Sequence, residues 1–184
     1  MTLPDLLNEE SGELWGAIRV TNINNSWFKG GTIVCALNGE VLVTQIPQVS
    51  PMNIRKVPFR IPAGTGLPEG KANITLKLKN SKGKNLSGET IELSVKSKYN
   101  HHKRTFISNV DGSVQYYSIA PSSNKELENP ALFLSVHGAG VEAVNQANAY
   151  KKKDWGHLVA PTNRRPYGFA WEDWGRLDAL EVFN

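Results

Sequence analysis

The first half of the chain consists of short apolar runs separated by turn residues, and this pattern constrains the fold more than any other feature. Six segments have the composition and spacing of β-strands, at residues 14–21, 32–37, 40–49, 54–61, 71–79 and 89–95. Stretches rich in glycine, proline or small polar residues separate them, and no amphipathic helix of convincing length falls among them. The pattern predicts an all-β unit.

Two details give this unit an architecture. Asn38-Gly39 lies between apolar runs and predicts a tight hairpin, because a type I′ turn needs positive φ at both central residues. Apolar residues at 72, 74, 76 and 78 alternate with polar ones, which places one face of that strand in a core and the other in water. Six or seven such strands predict an immunoglobulin-like β-sandwich over residues 1–100.

A basic, polar stretch at residues 96–104 interrupts this pattern and is interpreted as a linker between two domains. Its His101-His102 pair has the chemistry of a metal ligand, but adjacent residues on an extended chain point to opposite sides. We therefore expect solvated linker histidines, with no metal site and no cofactor.

Residues 105–184 have a different pattern of apolar and polar residues. Strands are predicted at 105–109 and 114–120 around a two-residue Asp111-Gly112 turn, then at 131–136 and 158–160. The run at 131–136 is continuously apolar, as in a strand buried on both faces. Helices are predicted at 142–151 and at 171–183, the second with an apolar face of Trp174, Leu177, Leu180 and Val182. Alternating strands and helices predict a parallel α/β sheet.

His137-Gly138-Ala139-Gly140 follows the continuous apolar run directly. With the surrounding order of elements, this motif resembles the first third of an α/β-hydrolase domain, particularly the prolyl-oligopeptidase-like serine peptidases and esterases. The resemblance implies that backbone N–H groups of Gly138, Ala139 and Gly140 form an oxyanion hole and that His137 supports their loop. The alternative is that the motif is simply a tight turn between strand and helix.

The resemblance also implies the overall fold class, mainly β plus α/β. An immunoglobulin-like accessory sandwich at 1–100 is followed by a truncated α/β-hydrolase sheet at 101–184. Arg164 and Arg165 leave the carboxyl end of a predicted strand, where open α/β sheets bind their ligands. They are candidates to bind a substrate carboxylate, or to pair with Glu172, Asp173 or Asp178 and so fix the loop.

The nucleophile of such an enzyme is not found in these residues. No serine has glycine two positions away on both sides, so the G-x-S-x-G elbow is absent, and no catalytic residue is assigned. We therefore expect an N-terminal fragment of a serine hydrolase of ester or peptide bonds, inactive alone. Its expected partner is the missing C-terminal portion of the hydrolase or a second copy of the chain.

A second function class is a module whose sandwich binds carbohydrate or protein, with Trp15, Trp27 and Phe28 as candidates for a sugar platform. The alternative for these three aromatic residues is packing in the core. The net charge of +4 is spread thinly and comes with no nucleic-acid motif, so no nucleic-acid partner is expected. Cys35, the single cysteine, lies in an apolar run and is expected to be a buried thiol. No signal peptide and no membrane-spanning segment is recognised, so a soluble chain with no membrane partner is expected, in an undetermined compartment.

Overall fold

The computed structural model describes residues 1–164 and 170–184, and the fold is mainly β. The chain divides into two compact units, Met1–Val95 and Lys96–Asn184. Each unit builds its own sheets.

The first unit contains seven strands in two sheets. They are β1 (Leu6–Leu7), β2 (Leu14–Asn22), β3 (Thr32–Leu37), β4 (Glu40–Gln45), β5 (Asn53–Ile61), β6 (Gly70–Lys79) and β7 (Asn85–Lys96). One sheet has the order β1-β7-β6-β3-β4, and the other pairs β2 with β5 in antiparallel register. Asn38 and Gly39 have φ of 48° and 85° between β3 and β4, which confirms the predicted hairpin turn.

Both sheets contribute side chains to one apolar core. Phe59 and Ile61 from the two-stranded sheet lie in the same cluster as Ile33, Cys35 and Ile74 from the five-stranded sheet. All five are essentially inaccessible to solvent. Each buried side chain of this size contributes about 1.5–3 kcal/mol of hydrophobic stabilisation, so the shared core holds the two sheets together.

The described residues of the second unit form four strands and two helices. They are β8 (His102–Ile107), β9 (Val114–Ala120), β10 (Ala131–Leu134), α1 (Ala143–Asn148), β11 (Gly156–Pro161) and α2 (Asp173–Phe183). The sheet order is β10-β11-β9-β8, and α2 packs against β11. Among the strands described, β10 and β11 are parallel, as the alternation of strands and helices predicted, and β8 and β9 are antiparallel, as the predicted hairpin requires. The pairing of β9 with β11 is also antiparallel, so the sheet as a whole is mixed.

Several local predictions for this unit are wrong. The two-residue turn at Asp111-Gly112 is a six-residue loop, because Ile107 pairs with Val114 and the Gly112 N–H donates back to the Ser108 carbonyl at 2.9 Å. The predicted linker contributes its last residues to β8. His102 is consequently buried rather than solvated, with Nδ1 2.7 Å from the Asn100 carbonyl oxygen.

The apolar strand β10 is not buried on both faces. It lies at the edge of its sheet, and Leu132 and Phe133, on opposite faces, remain 42% and 38% exposed. The apolar face predicted for the last helix is also wrong, because Trp174 and Leu180 are largely exposed and the buried positions are Gly175, Asp178 and Ala179. Helix α2 therefore packs through small residues and one carboxylate.

None of the helices in residues 1–164 and 170–184 combines the length and the apolarity that crossing a bilayer requires. Within the same residues, no three His, Cys, Asp or Glu side chains are grouped closely enough to hold a metal ion.

Candidate functional site

The candidate site lies at the carboxyl ends of the two parallel strands. His137-Gly138-Ala139-Gly140 follows β10, and Thr162-Asn163-Arg164 follows β11. Because β10 and β11 run in the same direction in register, the two segments emerge at the same edge of the sheet. Open sheets place ligands at this edge. The structure thus brings together the predicted oxyanion loop and Arg164.

The loop from Gly138 to Gly140 presents its backbone to solvent. All three residues are exposed, and the Val141 N–H donates to the Gly138 carbonyl oxygen at 3.3 Å to tighten the turn. Gly140 has φ of 78°, a conformation that residues with a Cβ rarely adopt. Within residues 1–164 and 170–184, no oxygen accepts a hydrogen bond from the N–H groups of Gly138, Ala139 or Gly140. Three backbone donors are therefore available at this turn.

His137 is buried and supports the loop from below. Its Nδ1 lies 3.1 Å from the Gly138 carbonyl oxygen, and its Nε2 lies 3.3 Å from the Thr162 carbonyl oxygen. A neutral imidazole has one N–H and donates to one of these oxygens at a time. The indole N–H of Trp171 donates to the His137 carbonyl oxygen at 2.8 Å, and the two rings meet edge to face with centroids 5.1 Å apart. The ring thereby links the loops that follow β10 and β11.

A buried carboxylate continues this chain of contacts. Asp178 of α2 is fully buried, and its Oδ2 accepts hydrogen bonds from the Thr162 N–H at 3.1 Å and from the Thr162 hydroxyl at 3.3 Å. Burial raises the pKa of Asp178, while the charge of Arg164 and the hydrogen bonds from Thr162 oppose that rise. Asp178 therefore anchors α2 to the end of β11.

Helix α2 comes close to this turn because residue 175 is a glycine. A Cβ at Gly175 would stand 2.2 Å from Oδ1 of Asn163, nearer than any van der Waals contact permits. Asn163 in turn donates from Nδ2 to the Ala170 carbonyl oxygen at 3.0 Å. Asn163 is thus held against the first turn of the helix.

Arg164 has three carboxylates around its guanidinium group. Its Nη2 lies 2.7 Å from Oε2 of Glu181, its Nη1 lies 3.0 Å from Oδ1 of Asp111, and its Nε lies 4.0 Å from Oδ1 of Asp178. Nη2 also donates to the Ser108 hydroxyl at 2.6 Å. The side chain is only 10% exposed. This environment favours the loop-fixing role for Arg164 over capture of a substrate carboxylate.

The Arg164 partners differ in part from those expected. Asp178 was among the acidic residues proposed from the sequence, whereas Asp111, Glu181 and Ser108 were not. Ser108 and Asp111 belong to the β8–β9 loop, more than fifty residues earlier, and no local sequence signal connects them to Arg164. The other candidate arginine, Arg165, lies outside the described residues.

An open cavity of about 480 Å³ borders the same loop. Among the described residues it is lined by Asp111, Asn163, Arg164, Ala170, Glu172, Asp173, Trp174 and Gly175. Three of these residues are acidic, and the arginine among them is already paired.

The three aromatic residues considered as a sugar platform have different environments. Trp15 and Phe28 are half-buried, and Phe28 packs against the core of the first unit. Only Trp27 is exposed, at 51%. Of the three, one side chain is available to a ligand, so they do not form an extended flat surface.

The chain has little similarity to known proteins. No model of a known protein family matches the chain. No curated protein matches it. A solved structure of a thermostable esterase is similar to it with 11% sequence identity and a TM-score of 0.34. The match covers 91% of this chain and 61% of that one, so the chain spans less than two thirds of the esterase. A TM-score of this size does not establish a shared fold.

Proposed function

We propose that the Lys96–Asn184 unit is the oxyanion-hole-bearing portion of a serine hydrolase of the α/β-hydrolase type, related to prolyl-oligopeptidase-like peptidases and esterases. Its substrate class is an ester or amide bond. The nucleophile, the acid and the base of the triad come from polypeptide outside these 184 residues. The chain alone is therefore inactive.

The observation that carries this proposal is the set of exposed backbone donors at Gly138, Ala139 and Gly140. An oxyanion hole needs N–H groups that point at one place, are not consumed by internal acceptors, and are held rigidly before the reaction begins. His137, Trp171 and the Thr162–Asp178 contact provide that rigidity from the protein side. In hydrolases of this type, the loop after the third strand supplies one such donor.

The order of elements in the second unit supports the same proposal. The β8–β9 hairpin is followed by β10, the glycine-containing loop, α1, the parallel strand β11 and α2. The motif thus lies after the third strand of this sheet and directly before a helix. We assign the first unit as an immunoglobulin-like accessory domain, because its two sheets enclose one core.

The edge of β10 supports an incomplete sheet. Leu132, Phe133 and Val136 are exposed there, and an apolar edge strand is a template for pairing with another strand. We propose that the missing C-terminal portion pairs with this edge, and that a second copy does so in its absence. Light scattering after size exclusion should then show a species larger than 20.3 kDa that Phe133→Lys converts to monomer. A wild-type monomer at micromolar concentration would contradict the proposed pairing at the edge of β10.

The central test begins with the coding sequence that follows residue 184. A reading frame that continues into a G-x-S-x-G segment supports the proposal, and a stop codon directly after Asn184 favours a non-catalytic module. The 184-residue chain should not turn over a p-nitrophenyl ester. Turnover that survives Cys35→Ala, together with covalent labelling of a serine by a fluorophosphonate, would overturn the proposed inactivity of the chain.

In the longer protein, Ala139→Pro removes one backbone donor from the loop. We expect kcat to fall by about 10²–10³ with KM little changed, because the lost hydrogen bond stabilises the transition state. Ala139→Gly is the matched control, since it keeps the N–H group and should retain most of the activity. Equal losses in both variants would mean that the loop acts only as a turn.

A further inference from the structure

A second feature of the molecule, far in sequence from the oxyanion loop, is a group of exposed apolar side chains in the first unit. Ile23, Trp27, Met52 and Ile54 are 76%, 51%, 69% and 57% exposed. We call these four residues the apolar tip. Single exposed apolar residues are common, but a cluster of large ones marks an interaction surface.

The four residues belong to two neighbouring segments. The paired strands β2 and β5 end with Thr21 opposite Ile54 and Asn22 opposite Asn53. Beyond that end, the Met52 N–H donates to the Asn24 carbonyl oxygen at 3.2 Å. The segment with Ile23 and Trp27 is therefore held beside the segment with Met52 and Ile54.

Asn22 fixes the shape of the tip. This buried side chain donates from Nδ2 towards the carbonyl oxygens of Ser26, Val49 and Ser50 at 2.8, 3.2 and 3.1 Å, and its Oδ1 accepts from the Asn24 N–H at 3.1 Å. One amide side chain thus ties the two segments together.

The part of the sequence that carries the tip is mainly basic, while Glu89 of β7 borders the same surface cavity as Arg19. Residues 14–68 contain one acidic side chain, Glu40, and five basic ones, at positions 19, 29, 55, 56 and 60. Arg19, Lys29 and Arg55 are exposed, and none of the ion pairs among residues 1–164 and 170–184 includes them. Arg55 is positioned by donating to the Gln48 carbonyl oxygen at 2.9 Å.

We propose that the apolar tip docks the first unit onto the surface of an anionic lipid bilayer. Ile23, Trp27, Met52 and Ile54 enter the headgroup region, and Arg19, Lys29 and Arg55 contact lipid phosphates. Tryptophan favours this boundary because its ring is apolar and its N–H is polar. This attachment is peripheral, so it needs no membrane-spanning segment.

A bilayer fits the tip better than an acidic protein does. Ile23, Trp27 and Met52 lie outside the strands and Ile54 lies at the end of β5. None of the cavities described at the surface of this unit is lined by these four residues. A fluid apolar layer accepts such projections without a matching shape, whereas a protein partner needs complementary pockets. Anionic headgroups also complement the exposed cations Arg19, Lys29 and Arg55.

The test is cosedimentation of the full chain with vesicles of phosphatidylcholine, with and without phosphatidylglycerol. We expect binding to the anionic vesicles that weakens with salt, together with a blue shift of tryptophan fluorescence that Trp27→Phe abolishes. Neutralising one cation, as in Lys29→Gln, should weaken binding about fivefold. The double variant Ile23→Ser/Met52→Ser should lose most of it, with an unchanged circular dichroism spectrum.

Val41→Ser/Val43→Ser is the matched control, because these two valines of β4 are also about half exposed but lie away from the tip. It should bind as the wild type does. Failure to bind anionic vesicles at low salt, or binding that survives Ile23→Ser/Met52→Ser, overturns the proposal. So does equal binding to soluble polyglutamate without a Trp27 blue shift, which would indicate an acidic protein partner. None of these outcomes depends on the proposed hydrolase activity.

Discussion

The two units of the chain fill their interiors with different kinds of side chain. In Met1–Val95, sixteen buried apolar residues from both sheets form one cluster that includes Phe59, Ile33 and Ile74. In the described part of Lys96–Asn184 the corresponding cluster has five members, and four of them are alanines. The second unit instead buries hydrogen-bonded polar groups such as His137, Thr162 and Asp178.

This difference shows that one chain can stabilise two units by different physical means. Apolar burial is insensitive to pH, and its contribution follows the area removed from water. A buried charged network depends on the protonation of its members and on the presence of every partner. The stability of the first unit should therefore depend mainly on the packing of its apolar side chains, and the stability of the second unit on the charges it buries.

The largest expected effect concerns the reactivity of Cys35, which reports opening of the first unit. Burial raises the pKa of the Cys35 thiol to about 12. At pH 8 the thiolate fraction is then about a thousandfold below that of an unfolded chain, and the thiolate is the reactive form. Ellman's reagent should label Cys35 only as the first unit unfolds in urea. Rapid labelling in native buffer would show that the core is open.

The next effect tests packing in the first unit. Phe59→Ala removes a fully buried ring and should lower the free energy of unfolding by about 3–5 kcal/mol, because a cavity remains. Urea unfolding followed by Cys35 labelling measures it. Phe183→Ala, at an exposed position of α2, is the control and should change this transition by less than about 0.5 kcal/mol. A similar loss of unfolding free energy in both variants would mean that the first unit does not depend on its apolar core more than on an exposed residue of the second unit.

A change in charge should mainly affect the second unit. Arg164→Met leaves Asp111, Asp178 and Glu181 without their common cation, which we expect to destabilise this unit by about 3 kcal/mol. Arg60→Met is the control, since its ion pair with Glu13 is exposed and contributes about 1 kcal/mol or less. Far-UV circular dichroism should detect the loss for Arg164, while the Cys35 labelling midpoint stays the same. A shift of that midpoint would contradict independent stabilisation.

The smallest effect is a dependence of stability on pH. Burial raises the pKa of Asp178, so the folded state holds this proton more tightly than the unfolded state does. Its contribution to stability therefore falls as pH rises from the ordinary aspartate value of 3.8 through the raised value. Asp178→Asn should remove this slope from a series of thermal midpoints between pH 3 and neutrality. If the thermal midpoint of the variant depends on pH as strongly as that of the wild type, a residue other than Asp178 causes the dependence.

The pKa of Asp111 is shifted in the opposite direction to that of Asp178, so the two residues can be compared within one protein. Burial alone would raise the pKa of Asp111, but hydrogen bonds from Ser113 and the charge of Arg164 outweigh it and lower the pKa. Its contribution is present above the ordinary aspartate pKa and is lost as pH falls through the lowered value. Asp111→Asn should therefore make the second unit less sensitive to acid.

Local features of the fold were predictable from the sequence. Alternation in β6 and the Asn38-Gly39 turn depend on neighbouring residues alone, and both are found in the structure. The loop of His137-Gly138-Ala139-Gly140 follows a strand and precedes a helix, as the same local pattern indicated. The prediction of a two-residue turn at Asp111-Gly112 was wrong. The Gly112 N–H donates to the carbonyl oxygen of Ser108, four residues earlier, and this hydrogen bond closes a longer loop.

The sequence by itself determined where strands, turns and the glycine-containing loop form, because these depend on side-chain alternation and on local backbone preferences. Only the tertiary structure decided which residues meet. Arg164 faces Asp111 from the β8–β9 loop and Glu181 from α2, and the buried face of α2 is centred on Asp178 instead of the apolar residues. A carboxylate can be buried only where partners from distant segments offset its desolvation, and sequence spacing holds no information about those partners.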